Sequence, residues 1–174
     1  ALHGTNAIIG FSGESQVVDG IELPGKADTP DKAPDLMRML GSRFVAHPDV
    51  AMLQVKVADP EHPIVAGLND FEIEDEPYYC EFFGDNHVLL EASYNEPSHG
   101  YVQSEFGTDQ ASHPQMYLHS VGAGQVLYLT LGHCRGKYDL RPLMDVAPVE
   151  KCAWNYPIFY DLLRRGIAWG TSAT

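Results

Sequence analysis

Gly122-Ala123-Gly124-Gln125-Val126-Leu127-Tyr128-Leu129-Thr130-Leu131-Gly132-His133 is the stretch on which the reading of this chain turns. Its apolar run, 125–131, and the run before it, 115–121, are separated by a three-residue turn with two glycines, which reads as a β-hairpin at one side of a sheet. A histidine closes the second strand. A second histidine closes another strand end in Ala1-Leu2-His3-Gly4-Thr5-Asn6. Open α/β sheets bind their ligands just beyond the carboxyl ends of the strands. A glycine beside each imidazole lets the chain leave the strand sharply and lets backbone approach a ligand. Each histidine alone reads as a hydrogen-bonded residue in a turn, but the pair is expected to line one pocket.

Working outward, residues 12–34 are polar and broken by Gly13, Gly20, Pro24, Gly25 and Pro30. They read as a long loop, expected to act as a lid over the His3 turn. A short helix follows, with Pro34 in its first turn, Leu36, Met39 and Leu40 on one face, and Gly41 as its stop. Ala51, Leu53, Val55 and Val57 alternate with Met52, Gln54 and Lys56, the period of a half-buried strand. Shorter strands are expected at 71–73 and 88–92. The last element is the clearest helix. Asn155 can cap it, Pro157 suits its first turn, and Tyr156, Phe159, Tyr160, Leu163 and Ile167 form an apolar stripe expected in the core. Gly170 is its expected end. Strands mixed with helices in this way favour a three-layer α/β/α domain over an all-β one.

The 174 residues suit one domain, 1–174. With 11 Lys+Arg against 24 Asp+Glu the formal net charge is -13, which repels phosphate backbones and argues against nucleic acid as a partner. No apolar run approaches the ~20 residues of a membrane span, so no membrane insertion is expected. Cys80, Cys134 and Cys152 lack metal-type spacing and are odd in number, so reduced thiols and a cytoplasmic setting are expected. The chain opens abruptly on a strand end, so an N-terminal portion is expected to be missing. Composition leaves a homo-oligomer open.

Four stretches, read together, resemble the trehalose-utilisation (ThuA-like) family. They are Leu2-His3-Gly4-Thr5; Gly41-Ser42-Arg43-Phe44-Val45-Ala46-His47-Pro48; Asp59-Pro60-Glu61-His62-Pro63-Ile64-Val65-Ala66-Gly67-Leu68 with Phe71 and Asp75-Glu76-Pro77-Tyr78; and Gly122 to His133. Gly166-Ile167-Ala168-Trp169 is also typical of it. The resemblance implies a flavodoxin-like, class I glutamine amidotransferase-like fold, of which this chain lacks the leading β-α units and supplies the C-terminal part. It also implies that His3 stands where those amidotransferases carry their nucleophilic cysteine. Cys134 adjoins His133 on an extended segment and points away from it, so glutamine hydrolysis is not expected.

His3, His133, Asp75 and Glu76 are the candidate catalytic residues. Neutral imidazole is the commonest metal ligand and an acid or base near pH 7. His3 and His133 with one carboxylate would hold a divalent cation such as Zn²⁺ with an open position, and the same groups could instead move protons without a metal. Asp75 and Glu76 can equally be a solvated acidic turn. Tyr78, Tyr138, Thr5 and Asn6 are candidate sugar contacts. His47, His62 and His113 each precede proline, and that backbone restriction suffices to explain them; His87, His99 and His119 follow no pattern. The resemblance implies a carbohydrate-metabolism enzyme, a hydrolase or lyase acting on a disaccharide or keto-glycoside. The competing reading is a non-catalytic carbohydrate-binding or regulatory domain on the same fold.

Overall fold

The computed structural model describes residues 1–18 and 20–172, which leaves residue 19 of the expected lid outside the description. The segment read as a loop, with the two residues before it, forms four short strands: β1 (Gly10–Ser12), β2 (Gln16–Val18), β3 (Ile21–Leu23) and β4 (Lys26–Asp28). β2 pairs with β3, and β1 with β4, both antiparallel, so the segment is a β-ribbon arm rather than irregular chain. Three-residue strands on either side of Gly20 are too short to show a period in the sequence. The arm is seated on the 100–102 turn, where Ala27 N–H donates to Gly100 O at 2.8 Å and Val102 N–H to Ala27 O at 2.9 Å.

Helix α1 (Pro34–Leu40) forms where expected and ends at Gly41, whose φ of 79° places it in the left-handed region. A side chain there would also collide with His119, since a Cβ would lie 2.5 Å from its Cγ. The buried face is Met37 and Leu40; Leu36 and Met39 face outward, one helical step from the expected stripe.

Next come β5 (Ser42–Ala46), β6 (Ala51–Val57), β7 (Phe71–Asp75), β8 (Tyr79–Phe82), β9 (Asn86–Ala92), β10 (His113–Val121) and β11 (Gly124–Leu129). The expected hairpin is β10–β11, in register from Met116 opposite Leu129 to Val121 opposite Gly124. The main sheet runs in the order β11-β10-β9-β6-β7 with antiparallel neighbours throughout, while β5 and β8 form a separate antiparallel pair. Antiparallel neighbours set this sheet apart from the mainly parallel one that flavodoxin-like domains have. Parallel pairing survives at the outer edge of β11, in the bridge between Leu2 and Leu129.

The alternation along β10 and β11 distributes the core between two faces. Met116, Leu118 and Leu129 join Leu53, Ile73, Leu89 and Leu90 against Phe159 and Leu162 of α2 (Pro157–Ser172). Tyr117 and Tyr128 stack on the other face with Leu40 of α1. The mixed α/β class is therefore as read. In α2 the buried positions are Phe159 and Leu162, while Tyr160 and Ile167 face out. Asn155 closes a 3₁₀ turn (Cys152–Asn155) rather than capping α2, and the helix runs through Gly170 to Ser172. No described helix is long and apolar enough to cross a membrane.

The antiparallel order makes β7 and β11 run in the same direction at opposite edges of the sheet. Their carboxyl ends nevertheless meet, because the sheet curls. Asp75, the last residue of β7, accepts from Gly132 N–H at 2.6 Å and His133 N–H at 2.9 Å, just past β11. The candidate site sits on this seam.

Candidate active site

Four strand-end segments deliver side chains to the seam. Ala1 and Leu2 run beside β11, with Leu129 N–H donating to Ala1 O at 3.0 Å, and the chain then turns through His3. Beyond β11, Gly132 adopts a φ of 132°, and a Cβ there would come within 3.2 Å of Phe159 and 3.5 Å of the His3 Cβ. Glycine is therefore required for the two histidine segments to approach. Glu76 follows β7 and His47 follows β5.

The rings of His3 and His133 lie 5.5 Å apart, centroid to centroid, nearly perpendicular. Between them stands the Glu76 carboxylate. Its Oε2 is 3.4 Å from His3 Nε2 and 3.2 Å from His133 Nδ1, and its Oε1 is 3.4 Å from His47 Nε2. Neighbours fix the far side of each ring. His3 Nδ1–H donates to the Thr130 carbonyl at 2.6 Å, His47 Nδ1–H to the Pro48 carbonyl at 2.8 Å, and His133 Nε2–H to Glu150 Oε2 at 2.8 Å. A carbonyl can only accept, so Nδ1 is a donor in His3 and His47, and Nε2 of each faces Glu76.

Burial pushes the Glu76 carboxyl up, but hydrogen bonds from His133 and His3 and the charge of His47 outweigh it, so the group stays well below the usual carboxylate range. Burial also disfavours the charged form of His133. Hydrogen bonds and charge from Glu76, then Glu150, win, and its pKa is raised to about 9. His133 thus bridges two carboxylates as an imidazolium.

Asp75 is no solvated turn: it is 0% exposed and commits both oxygens to backbone N–H groups of Gly132, His133 and Glu76. Burial raises its pKa against those hydrogen bonds. Its place is underneath the site, where it fixes the backbone of His133. Tyr78 is buried, its ring 4.1 Å from that of His3 and 4.4 Å from Phe44, so it backs the histidine instead of offering an open face.

Asn6 is likewise buried among protein partners. It is 0% exposed, donates to Ser42 Oγ at 2.6 Å and accepts from Tyr128 Oη at 2.8 Å. Thr5 closes the local turn through Leu2 O at 2.6 Å. Tyr138, 53% exposed, packs its ring under the Arg141 guanidinium at 4.3 Å. His47 and Glu150 are the additions. His47 follows a strand too short to show a period and stands beside Pro48, and no local pattern marks Glu150.

The donor set suits a divalent cation. His3 Nε2, His133 Nδ1 and a Glu76 oxygen all lie within 4.8 Å of one another. The contacts of 3.4 Å and 3.2 Å to Glu76 Oε2 match the ~3.3 Å that tetrahedral ligands with bonds of ~2.0–2.1 Å keep from each other. The Thr130 carbonyl and Glu150 supply the outer hydrogen bonds that metal-binding imidazoles ordinarily have. A cavity of about 450 Å³ lies elsewhere, between α2 and β11, and its lining of Leu127, Leu163, Ile167 and neighbours is apolar.

A family model described as "ThuA: Trehalose utilisation" matches residues 24–147, more than half of the chain. The crystal structure of a ThuA-like protein from Parabacteroides merdae ATCC 43184 superposes with a TM-score of 0.51 at 18% sequence identity. That alignment covers 95% of this chain and 47% of the other, so the chain spans about half the length of its structural neighbour. No curated protein matches.

Proposed function

Since the chain belongs to the ThuA family of trehalose-utilisation proteins, we propose that it is a carbohydrate-metabolism enzyme, a hydrolase or lyase for a disaccharide or keto-glycoside. The family's three-layer, flavodoxin-like arrangement is part of the same proposal, supported by the parallel Leu2–Leu129 bridge and by helices on both faces of β10–β11. One observation carries the functional reading: a nearly enclosed carboxylate, Glu76, faced by three histidines whose outer nitrogens are already engaged. Such a constellation has little structural purpose, since burying charges costs more than an apolar replacement would.

His3, His133 and Glu76 would hold a divalent cation such as Zn²⁺, which when bound supplies Lewis-acid polarisation of a sugar oxygen. The remaining work falls to the chain. His47, the most open of the three imidazoles at 30% side-chain exposure, turns Nε2 toward the site and serves as the group that takes and returns a substrate proton. Asp75 holds Gly132 and His133 against the opposite sheet edge. The acidic surface, with its net charge of -13, suits a neutral sugar better than a phosphorylated one.

The test is turnover of a panel of disaccharides and keto-glycosides by the protein with and without added Zn²⁺, beside the Glu76→Gln variant. Turnover by the wild type and its loss in the variant support the enzyme. Saturable sugar binding with no turnover would assign the non-catalytic carbohydrate-binding reading instead.

A further inference from the structure

Residues 136–149 form a loop that leaves the site just past His133 and returns at Glu150. Paired backbone bonds close its neck: Arg135 N–H donates to Glu150 O at 2.9 Å, and Glu150 N–H to Arg135 O at 3.0 Å. The Arg135 guanidinium takes Glu150 Oε1, which leaves Oε2 for His133 Nε2 at 2.8 Å. Each carboxylate oxygen therefore has its own partner. With side-chain exposures of 14% for His133 and 28% for Glu150, and with a fixed backbone bridge beneath, this is a constrained network and not an ordinary exposed ion pair.

A histidine anchored only through its backbone N–H can still turn about its side-chain torsions. Carboxylates on opposite edges of the ring, Glu76 at Nδ1 and Glu150 at Nε2, leave one orientation. We propose that Glu150 is a positioning residue: from the neck of the 136–149 loop it holds His133 by Nε2–H, so that Nδ1 faces Glu76 and His3 before any ligand arrives. The consequence for metal affinity rests on the cation-binding reading above; the consequence for the ring does not.

Three variants separate position from charge. Glu150→Ala removes the acceptor, Glu150→Asp keeps the charge but withdraws the oxygen by one methylene, and Glu150→Gln keeps an acceptor in place without the charge. Two measurements are made at fixed pH: Zn²⁺ affinity by competition with a chromogenic chelator, and the histidine-ring ¹H–¹⁵N correlations of the chelator-stripped protein. Loss of an outer hydrogen bond of this kind costs about 10–100-fold in metal affinity, the loss expected for Glu150→Ala, with a smaller one for Glu150→Asp and the least for Glu150→Gln. In the stripped protein the protonated His133 Nε2 signal is expected to persist in Glu150→Gln and to broaden or vanish in Glu150→Ala and Glu150→Asp. If Ala does not fold, the Asp and Gln variants decide. A His133 signal unchanged in Glu150→Asp, or lost in Glu150→Gln, overturns the proposal whatever Zn²⁺ does. A wild type that binds no Zn²⁺ defeats the cation reading alone, since the ring signals still judge Glu150.

Discussion

Two histidines in this molecule lie against a tyrosine ring at nearly the same distance, His3 tilted on Tyr78 at 4.1 Å and His113 stacked on Tyr94 at 4.2 Å between centroids. Their second partners separate them. His113 is sealed at the start of β10, edge-on to Tyr79, with Nε2–H donating to the Tyr94 carbonyl at 3.1 Å, and burial lowers its pKa. His3 instead turns Nε2 to a carboxylate that His47 and His133 share. Burial alone makes an imidazole a neutral core spacer; a buried carboxylate beside it makes it chemistry. In the sequence both are a histidine next to a strand, and only the fold brings a carboxylate to one of them.

The widest separation between the two regions is expected in activity. Glu76→Gln should lower turnover per folded molecule by roughly 100- to 10,000-fold, the range for loss of a group used in proton or charge handling, and should also lower the melting temperature, because the three histidines hold the carboxylate ionised in the fold. A variant that retains turnover would collapse the distinction. His113→Ala should affect stability alone. It empties a packed aromatic position and strands the Tyr94 carbonyl, costing about 2–4 kcal/mol by denaturant unfolding, with turnover per folded molecule unchanged.

Asp75→Asn probes the seam that joins the regions. The amide keeps one acceptor and presents an N–H₂ to the Gly132 or His133 N–H, so about 1–3 kcal/mol of stability should be lost. His133 ring signals should shift as well, because the backbone anchoring of the Gly132-His133 segment is weakened. The smallest effect is in pH. His113 has a folded pKa below its ordinary 6.5. The unfolded chain therefore takes up a proton first on acidification, so the contribution of His113 is complete above about pH 6.5 and is lost as the pH falls from there through the folded pKa, with a slope of at most ~1.4 kcal/mol per pH unit. Thermal melts of the wild type should fall on acidification from pH 6.5 more steeply than those of His113→Leu.

Much of this was legible from residue order. The Gly122-Ala123-Gly124 turn between two apolar runs specified the β10–β11 hairpin, and the period of Ala51 to Val57 specified β6, because both signals are local. The meeting of His3 with His133 was legible from the strand-end position of each. The antiparallel order of the sheet was not, since nothing local distinguishes a strand that pairs with its neighbour from one that crosses over. Nor was the partition of Asp75 from Glu76: adjacent carboxylates differ only because β7 ends at the curl, sending one beneath Gly132 and the other among the histidines. Asn6 read as a sugar contact because it is polar and beside His3, yet Ser42 and the Tyr128 hydroxyl, both far from it in sequence, enclose it. His47 was hidden by the sufficiency of its proline, and Glu150 by a loop with no period at all.

The cation reading of the seam depends on Glu76, His3 and His133 forming one binding centre. Calorimetric titration of Zn²⁺ into chelator-stripped protein decides whether they do, with the wild type beside Glu76→Gln. One equivalent bound by the wild type and its loss in the variant is the expected result. Absence of stoichiometric binding by the wild type, or an equivalent retained unchanged by Glu76→Gln, would contradict it.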